Sequence, residues 1–154
     1  MYKTILVPHG GTDSGDEALK HAIHISKLES SKITILYVIH TWHDHSFGVI
    51  RKDEKYVKTQ IEKIFSHVEK NVKEFLAERV ETCKKEGIDC KGIFRTGNPS
   101  ETIIKYSNDE QIDLIIMGKK RKIPNYKSFL KIGSVAKQVQ ENVHCPIMLV
   151  GVED

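Results

Sequence analysis

The sequence is short of cysteine, of long apolar runs and of any surplus of charge, and each shortage narrows the function. Its three cysteines, Cys83, Cys90 and Cys145, are an odd number and form no C-x-x-C pair. That usage suits a reducing cytosol, where buried thiols act as small apolar side chains, rather than a disulfide scaffold. No apolar run approaches the roughly 20 residues that span a bilayer. The opening MYKTILVPHGG has a short apolar run before Pro8 and no small-residue cleavage pattern. A cytoplasmic protein with no membrane partner is expected. Charge is nearly balanced, 24 basic residues against 21 acidic for a net +3, which by itself gives no case for nucleic acid.

Catalytic and phosphate-binding signatures are missing too. There is no G-x-x-x-x-G-K-[ST] loop, no G-x-G-x-x-G fingerprint, no G-x-S-x-G elbow, no H-E-x-x-H and no evident triad. No catalytic residue is expected.

What is present is the pattern of an α/β domain. The 154 residues, 39% hydrophobic and 29% charged, suit one globular domain over 1–154. Four short apolar runs, Thr4–Pro8, Ile33–Ile39, Asp113–Met117 and Pro146–Val150, read as parallel strands buried on both faces. A weaker one, Cys90–Arg95, reads as an edge strand. Between them, Ala18, Ala22, Ile25 and Leu28 keep helical spacing behind a cap at Asp13 or Ser14. The longest pattern carries Val57, Ile61, Ile64, Phe65, Val68, Val72, Phe75, Leu76 and Val80 and stops at Gly87. It is longer than a small domain is wide, so its first turns should project or fray. Asn98-Pro99-Ser100-Glu101 opens another helix, leading into Ile103, Ile104 and Tyr106, and Gly133-Ser134 opens the last. The alternation predicts a three-layer, doubly wound, five-stranded parallel sheet with helices on both faces and right-handed crossovers.

Such sheets bind ligands beyond the carboxyl ends of their strands. This selects Pro8-His9-Gly10-Gly11-Thr12, Val38 to His45, and Met117-Gly118 onward. Gly10 and Gly11 permit a tight turn, although a bare strand-to-helix turn explains the pair as well. After Gly118, Lys119, Lys120, Arg121, Lys122, Lys127 and Lys131 crowd one loop before Gly133-Ser134-Val135 starts a helix. Two backbone turns around a basic loop suit a polyphosphate; the plain alternative is a solvated basic loop. Nonspecific contact with RNA or DNA is a weaker reading, since only Tyr126 and Phe129 offer rings for stacking. His40, His43 and His45, with His9 after the neighbouring strand, have the chemistry of zinc, copper or nickel ligands. Asp44 is the one carboxylate among them and no cysteine joins it, so no metal site is expected. Ser134 reads as a helix cap or a phosphate hydroxyl rather than a nucleophile.

Taken in order, YKTILVP, EALKHAI, ITILYVI, TGNPSETIIKYS, DLIIMG, GSVAKQV and CPIMLV resemble the universal stress protein family over nearly the whole chain. The resemblance implies a Rossmann-like, adenine nucleotide alpha-hydrolase-like sheet and dimers that pair the last strand, here Pro146–Val150. Many members bind ATP through G-x2-G-x9-G-[ST]; others lack the motif and bind no nucleotide. Carried over by position, Pro8, His9 and Gly10 would lie beside base and ribose, with Val38 giving backbone contacts to adenine. Met117, Gly118, Lys120, Gly133, Ser134 and Val135 would surround ribose and phosphates, and Mg²⁺ would accompany ATP. The chain departs from the pattern at two places. Gly10 stands where the family often has aspartate. Arg121 replaces the second motif glycine, and the spacer to Gly133 is about two residues longer. A guanidinium binds phosphate through side-chain donors where a glycine offers backbone. The expectation is an ATP- or AMP-binding stress-response module acting through occupancy and dimerisation, with at most slow ATP hydrolysis. The alternative is a dimeric interaction protein of the same family whose nucleotide site has degenerated.

Overall fold

Apolar, β-branched runs with no polar face make strands only where both faces are covered, and both are for β1 (Thr4–Pro8) and β4 (Leu114–Gly118). The last strand, expected to be buried on both faces, instead lies at the sheet edge, half-buried with Met148 exposed. The computed structural model describes residues 1–41, 54–119 and 132–152. Its elements are β1 (Thr4–Pro8), α1 (Asp13–Glu29), β2 (Lys32–His40), α2 (Glu54–Lys85), β3 (Cys90–Gly97), α3 (Pro99–Asp109), β4 (Leu114–Gly118), α4 (Ser134–Asn142) and β5 (Ile147–Val150). They form the five-stranded sheet in the order β3-β2-β1-β4-β5, and every strand pair is parallel. The expected three-layer α/β fold is what the chain adopts, with β3 at the edge.

Alternation along each strand divides the core in two. Ile5, Val7, Leu114 and Ile116 meet Ala18, Leu19 and Ala22 of α1 and Val72, Leu76 and Cys83 of α2. Leu6, Ile115 and Met117 meet Ile103 and Tyr106 of α3 and Ala136 and Val139 of α4. One pair of helices therefore covers each face.

The helix ends obey local chemistry. Gly87, at φ +76°, closes α2. Its N–H donates to the Lys84 carbonyl and that of Ile88 to the Cys83 carbonyl, a Schellman pair that satisfies orphan carbonyls. Asn98 caps α3 through the Glu101 N–H, with Pro99 in the first turn as the sequence predicts.

Two further expectations are corrected. Thr12, not Asp13 or Ser14, is the N-cap of α1, its side chain accepting the Gly15 N–H. All three residues suit a cap, and the hydroxyl already in extended backbone takes the position. Leu28 is 73% exposed, while Leu19 and Ser26 are buried in α1; the buried stripe of that helix runs on through Ser26. As expected of so long a helix, the first turns of α2 project: it stays helical from Glu54 to Lys85 but buries only its second half, leaving Ile61 47% and Ile64 63% exposed. A helix of 32 residues is about 48 Å long. The eight- and nine-residue strands β3 and β2 beneath it reach only about 30 Å. No helix among the described residues is long and apolar enough to cross a membrane.

Candidate functional site

The strand order places a switch point between β1 and β4. From β1 the chain passes to β2 and β3 on one side, then crosses through α3 to β4 on the other. Loops leaving the carboxyl ends of β1 and β4 diverge there and open a crevice. Pro8-His9-Gly10-Gly11 leaves β1, and Gly118-Lys119 leaves β4.

Hydrogen bonds gather the second group. The Gly133 N–H donates to the Lys119 carbonyl at 2.9 Å, and the Lys119 N–H to the Val150 carbonyl at 2.7 Å. Gly118 and Gly133-Ser134, 15 or more residues apart in sequence, are thereby joined at the top of the sheet. Gly133 is the N-cap of α4 and supplies no side-chain cap. The first N–H groups of a helix lack intrahelical partners and carry partial positive charge. Ser134 is thus the first helical residue and not the cap, and it is exposed. Val38, Met117 and Val135 lie with the α3/α4 side of the core. Pro8, two residues beyond Leu6, shares that side by strand alternation. Lys120 and Arg121, with the rest of the basic loop, lie outside the described residues.

Gly118 has a packing role as well. A Cβ built there would lie 2.5 Å from Ser14 Oγ and 2.9 Å from Ser14 Cβ. The first turn of α1 is seated on this glycine, which holds the two crevice loops together. At Gly10 a Cβ would meet nothing within 4 Å, whereas Gly11 holds φ +71°. The turn requires Gly11, not Gly10.

His9 goes the other way. Its ring is buried on the α1/α2 side, where Nε2 lies 3.0 Å from Asp16 Oδ1 and Nδ1 accepts the Gly11 N–H at 3.1 Å. Asp16 also receives Arg79 Nε at 3.2 Å. The Arg79 guanidinium lies 3.9 Å over the Phe75 ring, and Phe75 meets His9 edge-on at 4.8 Å. Burial holds the imidazole below its ordinary value of 6.5, outweighing the Asp16 carboxylate that favours the cation. Desolvation works against the Asp16 charge, but hydrogen bonds from Arg79 and His9 keep that carboxyl below its usual range. Sequence reasoning did not find Asp16, Phe75 or Arg79. A histidine beside glycines signals the loop, but nothing local points to a guanidinium on a distant helix.

His40 ends β2 opposite Gly97 of β3, while His43 and His45 lie outside the described residues. Among the described residues no three His, Cys, Asp or Glu side chains could hold a metal ion together.

A parallel sheet in this order, with a helix N-terminus and a glycine-bearing turn at its switch point, defines a Rossmann-like α/β protein with a ligand crevice. Within that class the family is plain: the universal stress protein family model matches residues 1–151, and the chain belongs to that family. The universal stress protein MJ0577 of Methanocaldococcus jannaschii is 30% identical, with 97% of this chain and 95% of that protein covered. The universal stress protein YxiE of Bacillus subtilis is 26% identical, covering 97% and 99%. Among solved structures, that of MJ0577 superposes with TM-score 0.81 at 27% identity, covering 100% of this chain and 99% of that one. The universal stress protein UspA from Lactobacillus plantarum matches equally well at TM-score 0.81 and 20% identity, with 97% of each chain covered.

Proposed function

We propose that this chain is an adenine-nucleotide-binding module, taking ATP or AMP, that acts in the cytoplasm in a stress response through ligand occupancy and dimerisation rather than turnover. The observation that carries the reading is the Gly133–Lys119 hydrogen bond. It sets the N-terminus of α4, to which Gly133 supplies no side-chain cap, against the end of β4 at the switch point. Phosphate is the natural occupant of such a terminus. The adenosine end would lie toward Pro8, Gly10 and Val38, and Arg121 would supply phosphate donors from the basic loop. Any Mg²⁺ would arrive with the triphosphate.

Relatives of the same fold support this choice of ligand. A universal stress protein solved in complex with cAMP has TM-score 0.67 at 17% identity, over 99% of this chain and 98% of that one. One from Arabidopsis thaliana with AMP bound has TM-score 0.67 at 15% identity, over 98% and 92%.

Calorimetry with ATP, AMP and their magnesium complexes tests the reading, together with mass spectrometry of small molecules released from the purified protein. Ser134→Asp would place a carboxylate at the exposed first helical position. It should weaken ATP about tenfold, roughly 1.4 kcal/mol, and leave adenosine much less affected. No heat at about millimolar nucleotide, a very weak limit, would favour the degenerate-site alternative instead.

A further inference from the structure

We propose that His9 is the positioning residue of the first crevice loop, and that protonation of its ring releases the Gly10-Gly11 turn and so couples nucleotide affinity to pH. The inference rests on the nucleotide reading above for its functional half and on local geometry for the rest.

The hydrogen bonds fix the form of the ring. A backbone N–H can only donate, so the 3.1 Å contact from Gly11 makes Nδ1 the acceptor. The proton of a neutral imidazole must then sit on Nε2, where it points at Asp16 Oδ1, 3.0 Å away. An imidazolium carries N–H on both nitrogens. Its second proton would face the Gly11 N–H, turning a hydrogen bond into a donor–donor clash.

The ring cannot swing aside to avoid this. It is 2% exposed and packs edge-on against Phe75. It also sits so close to Gly15 that a Cβ there would be 2.6 Å from Nδ1. Among the described residues the turn on its other side has room to yield: Gly10 and Gly11 are exposed, and a Cβ at Gly10 would meet none of their atoms within 4 Å. Among the described residues the charged groups facing the ring are Asp16 from α1 and Arg79 from α2, which itself holds Glu78. Tyr37 of β2 reaches the group through its edge contact with Phe75. Asp16 favours the cation while burial and Arg79 oppose it, so the ring stays neutral above the ordinary histidine range and protonates only below it.

The test has a nucleotide-free arm and a binding arm. In the free protein, long-range proton–nitrogen spectra should show the Nε2–H tautomer near pH 8, well above the histidine range, with slow Gly11 amide exchange. Both features should disappear together as the ring protonates. AMP affinity, measured by calorimetry, should fall about fivefold further in the wild type than in His9→Asn as the pH is taken from roughly 8 to below the ordinary histidine range, where the ring protonates. The asparagine offers an acceptor near the Nδ1 position but does not titrate, and the phosphate of AMP contributes equally to both proteins. Asp16→Asn, a second variant should the first not fold, removes the charge that favours the cation and should move the wild-type profile to lower pH. An Nδ1–H tautomer, Gly11 exchange unchanged through the titration, or superposable affinity profiles would each overturn the proposal. AMP binding that ignores the His9 titration defeats the coupling alone. Absence of AMP binding near pH 8 defeats the nucleotide reading and the coupling with it.

Discussion

Ser14 of α1 fills the space that a side chain on Gly118 of β4 would need: a Cβ there would stand 2.5 Å from the serine Oγ. Gly118→Ala should therefore destabilise the protein by about 1–3 kcal/mol, the usual cost of overpacking a filled site. Ser14→Gly removes both nearest atoms and should restore much of the loss in the double variant, because touching residues couple. Urea denaturation of the two single variants and the double variant measures this. Additive effects would show that α1 is not seated on this glycine.

Gly87 and Gly10 make a matched pair of tests. A Cβ at either meets nothing within 4 Å, but Gly87 holds φ +76° and Gly10 has no positive φ. Gly87→Ala should cost about 1–2 kcal/mol from the left-handed backbone alone. Gly10→Ala should stay within about 0.5 kcal/mol of wild type. Equal midpoints of chemical denaturation for the two variants would contradict the helix ending described for α2.

The contrast between these glycines shows what the sequence discloses. The five strands and four helices of the described residues were legible, because Ile-, Leu- and Val-rich runs of strand length alternate with helical spacing and glycine stops. Gly118 and Gly133-Ser134 were legible as one turn system for the same reason: a buried strand ends at one and a helix starts at the other. The packing role of Gly118 was not legible, since it depends on Ser14 arriving from another element. Nor was the cap of α1, where Thr12, Asp13 and Ser14 are chemically interchangeable. The His9 cluster was hidden by distance: Arg79 meets Asp16 across 63 residues of chain, and only the placing of α1 and α2 on the same face of the sheet brings them together. Periodicity placed Ile61 and Ile64 on the apolar face of α2, and only the length of that pattern, greater than the sheet can cover, told that its first turns project.

Acid should expose the latch between β1 and β4. Asp113 Oδ2 accepts the Lys3 and Thr4 N–H groups, each at 2.9 Å, and the Thr4 hydroxyl at 3.0 Å. The two backbone donors, then the hydroxyl, hold this carboxyl below its ordinary value of 3.8. A carboxyl depressed on folding stabilises the protein above its unfolded value, and the contribution is lost as pH falls through the folded one. Asp113→Ala should cost about 1–3 kcal/mol near neutral pH. The gap to wild type should close as the solution is acidified below about pH 3.8, where the wild-type carboxyl itself becomes protonated. Urea melts across that range test it, and a gap independent of pH would remove the charge from the explanation.

The last strand carries the prediction about assembly. Among the described residues β5 pairs with β4 on one side only. The carbonyls of Pro146 and Val150 accept from β4 and the residue after it, so by strand alternation the peptide groups of Ile147 and Leu149 face the open edge. Unpaired edges template further pairing, and antiparallel pairing of two copies about a twofold axis would close this one. Met148 is 36% exposed and tolerates a longer polar side chain. Met148→Lys should thus leave the fold intact by circular dichroism, while two added charges near the axis weaken the dimer about tenfold or more, roughly 1.4 kcal/mol. Sedimentation velocity at about micromolar concentration, where a Kd of that order is resolved, should give a dimer for wild type and a shift toward monomer for the variant. A wild type that sediments as a monomer would refute the β5 interface. A variant that remains fully dimeric would move the contact to another surface.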